Sequence, residues 1–341
     1  MVARIVRPAL LCAALLIGAA CSSGSATPTP ADSGMSSPIA TVVAPATATA
    51  VGSCACATAV QSGRVVAWGD DTYGQIEVPA GLTGVVAVAA GDEFSLALKS
   101  DGTVVGWGAN DVGETSVPAE ATGIVAISAG SAFSLALKSD GTVIGWGDNT
   151  SGQTTAPAGL NDVLQISAAG SHALALKRDG TVVAWGSNAN GEVNVPAGLK
   201  DVREVSAGYD FSLALESDGT VVAWGDTSVT DQSSGAVKVP AGLRGAKLIS
   251  AGYYHSLALE SDGTVVAWGT DDSGQTKVPS GLAGVAAVAA GGNFSLALKA
   301  DGTLVAWGGN ESGQTTLPTG LPTVLAIDAG GGHGLAVVRN P

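Results

Sequence analysis

Three histidines, His172, His255 and His333, are the only imidazoles among the 341 residues. An imidazole beside a nucleophile and an orienting partner would do hydrolytic or acyl-transfer chemistry. Two acidic pairs, Asp70-Asp71 and Asp271-Asp272, carry the hard oxygen donors that calcium takes. Position argues against both uses. Phe94, Phe133, His172, Phe211, His255, Phe294 and His333 fall at one recurring place, and they are every Phe and every His of the chain. A histidine that alternates with phenylalanine is there to pack, with one hydrogen bond to make. Asp71 and Asp271 likewise share a place with Asn110, Asn149, Asn188 and Asn310, which fits a side chain capping a turn. No EF-hand ligand run, metal triad, nucleophile–base pair or phosphate loop accompanies them. The expectation is a protein without catalytic residues, metal or cofactor.

The elements that place these residues follow from the tryptophans. All seven stand in a Trp-Gly pair, Trp68, Trp107, Trp146, Trp185, Trp224, Trp268 and Trp307, spaced by 39, 39, 39, 39, 44 and 39 residues. A fixed period of this length signals a solenoid or a propeller. The unit that starts at Val85 recurs from Ile124, Val163, Val202, Lys247 and Val285. Within it, 85–90 is a short apolar run and 95–98 alternates in the manner of a half-buried strand. Asp101-Gly102 marks a tight hairpin, 103–107 is the next strand, and 115–118 runs out to an edge. About four short strands per unit and no helical period predict an all-β, seven-bladed β-propeller of about 39-residue repeats. The ends are complementary. His333 lacks a tryptophan strand after it, and the Trp68 strand lacks a regular partner before it, so 333–338 is expected to pair with 64–68 and close the ring. Residues 54–60 are left as a spare strand.

Composition permits a large core, with 46% hydrophobic and only 13% charged residues. The balance of 15 Lys+Arg against 29 Asp+Glu gives a net charge of −14, which excludes a phosphate-tracking nucleic-acid binder. The first residues look like an address. Arg4 and Arg7 precede an apolar stretch from Pro8 to Ala20, too short to span a bilayer comfortably, and Gly18-Ala19-Ala20-Cys21 resembles a lipoprotein processing site. The expected organisation is a signal over 1–21 with lipidation at Cys21, a Ser/Thr/Pro/Ala-rich tether over 22–51, and the propeller over 52–341. That makes the protein exported and anchored on the extracytoplasmic side, or secreted after cleavage at an Ala-rich site. Cys54 and Cys56 then meet an oxidising compartment, free or in a strained pair.

Strand order puts the segments after each Ala-Gly pair and the loops after each Trp-Gly pair on one face. Its acids are Asp70, Asp71, Asp92, Glu93, Asp111, Asp148, Asp210, Asp226, Asp231, Asp271, Asp272 and Glu311, with no cation expected among them. The bases gather at the opposite end. On the acidic face, Tyr209, Tyr253 and Tyr254 lie on adjacent repeats and flank the one insertion, within 226–237; Tyr73 is the fourth tyrosine. A single-signed field accelerates encounter with an opposite partner, and a few tyrosines suffice as anchors. The expected partner is an extracytoplasmic protein with a basic surface, contacted through Tyr209, Asp210, Tyr253, Tyr254, Asp92, Glu93, Tyr73 and Asp231. The membrane enters only through the lipid, and a monomer is expected.

The unit G-x-x-[FH]-S-L-A-L-K-x-D-G-T-V-V-A-W-G-x-N-x-x-G-Q-T-x-V-P resembles the regulator-of-chromosome-condensation repeat superfamily over residues 64–338. Its short 39-residue form is most similar to the propeller-type secreted β-lactamase inhibitory proteins. That resemblance implies a seven-bladed, non-enzymatic binding module whose contacts come from large residues just after the Ala-Gly pairs. Tyr209, Tyr253 and Tyr254 are the aromatics at those places here. The superfamily also implies guanine-nucleotide exchange as an alternative, which export opposes, and a purely structural surface protein is a further one.

Overall fold

The computed structural model describes residues 61–225 and 235–340. The signal, Cys21, the tether, Cys54, Cys56, the expected spare strand and Asp231 lie outside the described residues. Among those described there is no α-helix.

The chain opens with β1 (Gly63–Gly69) and then repeats three-stranded groups. These are β2 (Val85–Ala90), β3 (Phe94–Lys99) and β4 (Val104–Gly108); β5 (Ile124–Ala129), β6 (Phe133–Lys138) and β7 (Val143–Gly147); and β8 (Val163–Ala169), β9 (His172–Lys177) and β10 (Val182–Gly186). They continue as β11 (Val202–Ala207), β12 (Phe211–Glu216) and β13 (Val221–Gly225); β14 (Ala246–Ala251), β15 (His255–Glu260) and β16 (Val265–Gly269); and β17 (Val285–Ala290), β18 (Phe294–Lys299) and β19 (Leu304–Gly308). Two strands, β20 (Val324–Ala329) and β21 (His333–Arg339), end the chain.

Every pairing is antiparallel, and five of the groups are separate three-stranded sheets. The sixth sheet runs β20-β21-β1-β2-β3-β4. Within it β1 pairs with β21 along its whole length, from Gly63 opposite Arg339 to Gly69 opposite His333, yet meets β2 only through Gly63 and Val85. The N-terminal strand thus completes a three-stranded group with the C-terminal pair, as the unmatched ends of the sequence required.

Three features of the unit differ from the sequence reading. There are three strands rather than four. In the segment after each tryptophan strand the backbone donors are spent on local turns, with Gly113 N–H to Asn110 O, Ser116 N–H to Gly113 O and Ala121 N–H to Pro118 O. Pro118 has no donor at all, so 115–118 lies beside β4 without joining its ladder. The second difference is register: the fifth inner strand starts at Ala246, one residue before Lys247. The third is in the unit of β8, which carries one more residue in its inner strand and one fewer in the loop that follows.

The core sits between neighbouring groups. Alternation sends Phe94, Leu96 and Leu98 to one face of β3, where they pack on Ile124, Ile127 and Trp146 of the next group. The same contact brings Val65, Leu335 and Val337 against Val85, Val88 and Trp107, so the last group packs on the first. Each tryptophan also donates its Nε1–H to a carbonyl of the preceding group, from Trp107 to Gln75 O at 2.9 Å through Trp307 to Gln275 O at 2.9 Å. Trp68 makes the corresponding bond to Gln314 O at 2.9 Å, 246 residues away in sequence.

Inner strands are linked side by side through short side chains. Ser128, Ser167, Ser206 and Ser250 each accept the backbone N–H of Ala168, Ala207, Ala251 and Ala290 on the following inner strand, at 2.9–3.0 Å. Asp328 does the same for Ala90 at 2.9 Å, joining the last inner strand to the first. Replacing Ser206 with Ala strands the Ala251 N–H, and urea unfolding is expected to show a loss of about 1 kcal/mol.

Candidate protein-interaction face

The loops that follow the inner strands and those that follow the tryptophan strands are bonded to each other in six units among the described residues. Ala109 N–H donates to Glu93 O at 2.9 Å, Thr270 N–H to Tyr254 O at 2.8 Å, and Asp70 N–H to Gly332 O at 2.9 Å. They therefore form one end of the molecule, as strand order predicted. β1 starts at the opposite end, beside Arg339.

On this end three tyrosines meet. Tyr209 and Tyr253 have ring centroids 5.0 Å apart, Tyr209 and Tyr254 5.8 Å, and Tyr253 and Tyr254 6.2 Å, all tilted or edge-on. Each is half-buried, leaving an aromatic surface that is held in place by its own packing. Asp210 is half-buried beside Tyr209 and, with Asp92, adds to the burial that raises the Tyr209 phenol pKa.

Tyr253 reaches furthest. Its hydroxyl is hydrogen-bonded to the Asp92 carboxylate, from the loop after β14 to the loop after β2. A Cβ on Gly331 would stand 2.5 Å from the Tyr253 hydroxyl, so the crossing depends on a glycine there. Asp92 is thus a half-buried acid rather than a fully exposed one: burial raises its pKa, and the Tyr253 hydroxyl partly offsets this. Burial raises the Tyr253 phenol further still, followed by the neighbouring Asp92 charge. Glu93 is exposed; its pKa is raised by partial burial and then by Asp92, Asp70, Asp111 and Glu114.

The other expected site residues are distributed differently. Tyr73 is 47% exposed on the loop after β1 and has no ring contact with the other tyrosines among the described residues. The face is not free of cations, because Lys277 lies on the loop after β16 and pairs with Asp271 at 3.1 Å. The turn-capping reading of Asp71 and its equivalents holds in all six described loops: Oδ1 accepts an N–H five residues on, for instance Thr115 to Asn110 at 3.1 Å and Thr276 to Asp271 at 3.0 Å. Among the described residues no group of three or more His, Cys, Asp or Glu could hold a metal ion.

Beneath Tyr253 and Asp92 is a cavity of about 180 Å³ walled by all seven inner strands. Its wall holds Gln165, Glu204 and Asp328, which the sequence reading passed over. Gln165 and Glu204 break the apolar runs of VLQISA and VREVSA, and that interruption is the signal that marks them. Burial pushes the Asp328 carboxyl up to about 6 and the Glu204 carboxyl up to about 8.

Comparison with known proteins places this arrangement. Prp20p from Saccharomyces cerevisiae is similar over 83% of this chain and 93% of its own, with a TM-score of 0.71 at 20% identity. Human WBSCR16 is similar over 82% and 100%, with a TM-score of 0.65 at 18% identity. The ectodomain of the Physcomitrella patens receptor kinase CR4 is similar over 71% and 67%, with a TM-score of 0.59 at 24% identity. These likenesses establish a propeller of this type as the fold. No curated protein matches the chain. The model of the regulator of chromosome condensation (RCC1) repeat matches residues 85–114, 124–153, 163–192, 202–229, 246–275 and 285–314, more than half of the sequence. With that repeat running through its groups of strands, the chain belongs to the RCC1 repeat family.

Proposed function

We propose that the protein is a non-enzymatic, monomeric binding module, a seven-bladed propeller whose tyrosine-bearing acidic end docks a partner protein with a basic surface. The observation that carries this reading is the cluster of Tyr209, Tyr253 and Tyr254 on an end rich in carboxylates. Aromatic anchors supply binding energy, and surrounding charge of one sign steers a partner of the other. Six three-stranded groups follow one another and β1 supplies the third strand beside β20 and β21, which supports a count of seven. Prp20p, of similar fold, binds Gsp1p and histones, so proteins are the partners of a relative in fold.

Export and lipidation at Cys21 belong to the same proposal and rest on the sequence of the first 21 residues. Because β1 begins at the end opposite the tyrosines, a tether arriving there leaves the docking end facing outward. Inhibition of a class A β-lactamase is the special case favoured by the short repeat and by the tyrosines after the Ala-Gly pairs.

The test is a titration against a panel of class A β-lactamases, read as hydrolysis of a chromogenic substrate, with the Tyr209→Ala/Tyr253→Ala/Tyr254→Ala variant in parallel. Stoichiometric inhibition that weakens at high salt and falls at least a hundredfold in the variant is the expected result. Three anchors of this kind are together worth more than about 3 kcal/mol. Inhibition retained by the variant removes the tyrosines from the interface, and absence of inhibition across the panel removes the β-lactamase case.

A further inference from the structure

Gln165 and Glu204 stand at the same place in consecutive inner strands. The Gln165 amide grips the next strand with both of its atoms: Oε1 accepts the Val205 N–H at 3.0 Å and Nε2 donates to Val205 O at 3.0 Å. Glu204 repeats half of this grip one group further on, with Oε1 accepting the Ile249 N–H at 3.3 Å. The side chain is only 5% exposed. A carboxylate cannot complete the grip, because it has no donor for a carbonyl. A carboxylic acid can, being the shape and donor–acceptor equivalent of the amide.

We propose that Glu204 is a neutral carboxylic acid in the folded protein, donating its proton to Ile249 O as Gln165 donates to Val205 O, and that loss of this proton loosens the tyrosine cluster. The inference rests on the docking role of that cluster. Tyr209 follows Glu204 by five residues on the continuation of β11, and Tyr253 follows Ile249 by four on the continuation of β14. The two strands that carry the anchors are therefore clasped through one titratable group. Ionisation turns the donor into a second acceptor facing a carbonyl, and the proton leaves to water through the cavity.

The surroundings favour the neutral form. Burial outweighs the Ile249 N–H and the Arg203 charge, the two influences that favour ionisation. Arg203 is on the same strand, exposed, and spends Nη2–H on Ala246 O at 2.7 Å. Lys247 is the cation of β14, Gln165 of β8 is neutral, and Asp328 and Asp92 are the other acids that line the cavity.

Infrared spectra of the full-length protein and of Glu204→Gln, recorded in D2O between pH 6 and 9, test the clasp, with near-ultraviolet circular dichroism reporting the aromatic packing. The wild type is expected to show a protonated-carboxyl band at pH 7.5 that disappears with a midpoint near pH 8, together with a change in the aromatic signal. Glu204→Gln is expected to lack both. Asp328, lower in pKa, is ionised by then. Ser206→Ala weakens the adjacent link without touching the carboxyl and should titrate as the wild type does. Absence of the band in the wild type, or its persistence in Glu204→Gln, overturns the proposal. Neither readout involves a partner, so a failed clasp leaves the docking end standing, and a failed β-lactamase titration leaves the clasp standing.

Discussion

Acidification from pH 7 to pH 5 is expected to cost this protein stability through three histidines, against a partial offset from two carboxyls that the fold prefers protonated. His172, His255 and His333 each place Nε2 on a serine of the next group, Ser212 at 2.9 Å, Ser295 at 2.9 Å and Ser95 at 3.0 Å. Each serine has one proton and gives it to a backbone carbonyl, at 2.9 Å to Glu192 O, 3.0 Å to Gln275 O and 2.8 Å to Gln75 O. The histidine must then be the donor, which fixes the proton on Nε2 and leaves Nδ1 bare. In all three rings Nδ1 is buried without a partner. A second proton would put a charge where nothing accepts it, so burial pulls each imidazole down to about 4, only partly opposed by Glu192, Asp271 and Asp70 respectively.

The sign follows from which form the fold prefers. The unfolded chain takes up these protons near pH 6.5 and the folded one only near 4, so stability is complete above 6.5 and drains away as pH falls between the two. A shift of this size is worth on the order of 3 kcal/mol per histidine when the whole window has been crossed. Glu204 and Asp328 act oppositely, because the fold prefers their protonated forms: their contribution drains away as pH rises from the ordinary carboxyl range to about 8 and about 6 respectively, so on acidification they offset part of the histidine loss. Stability should therefore peak near neutrality. Urea unfolding at a series of pH values measures the acid limb, and the His172→Phe/His255→Phe/His333→Phe variant should flatten it. Phenylalanine already fills this place in four groups, where Ser134 and Ser256 still donate to Glu114 O and Ala236 O behind Phe94 and Phe211. A variant whose acid limb matched the wild type would acquit the histidines.

That one position explains how much of the molecule the sequence discloses. The recurrence of Phe and His, the Trp-Gly spacing and the Asp-Gly hairpins are all local and periodic, so they reveal strands, turn caps and the pairing of the two ends. Packing of the histidines was legible for the same reason. What escaped is what one group does to another. Nothing in the order of residues brings Tyr253 to Asp92, an aromatic and an acid 161 residues apart, and Asp92 reads as a free surface charge until that crossing half-buries it. Glu204 and Asp328 look like ordinary charged residues at strand positions until seven inner strands enclose them around one cavity. The missing fourth strand has a different cause: β-like composition at 115–118 loses to turns that use the same donors locally.

The closure at Trp68 should be the point in the fold whose breaking most loosens the pairing of the two ends of the chain. Its indole is 5% exposed, packs with Phe294, Leu296, Val324 and Ile327, and lies over Gly334, where a Cβ would come within 2.5 Å of the ring. Five of the other groups carry serine at that place and one carries alanine, so the glycine is fitted to this indole. Trp68→Ala removes the buried ring, empties the space over Gly334 and deprives Gln314 O of its indole donor, a loss of about 3–5 kcal/mol. Trp146→Ala deletes a matching ring and a matching bond to Glu114 O at 2.8 Å, and should cost a similar amount in urea. The two variants should part in hydrogen exchange. Trp146 lies in β7, tied to β6 by a short hairpin that survives the loss. Trp68 lies in β1, which is bound to β21 across most of the chain and to β2 through a single residue pair. Without the indole, β1 has to hold a very long loop closed with its ladder alone, so amides of 64–68 and 334–338 should exchange far faster than the global unfolding rate allows. In Trp146→Ala those same amides should remain protected. Equal protection of β1 in both variants would mean that the ladder itself, and not the tryptophan, holds the two ends of the chain together.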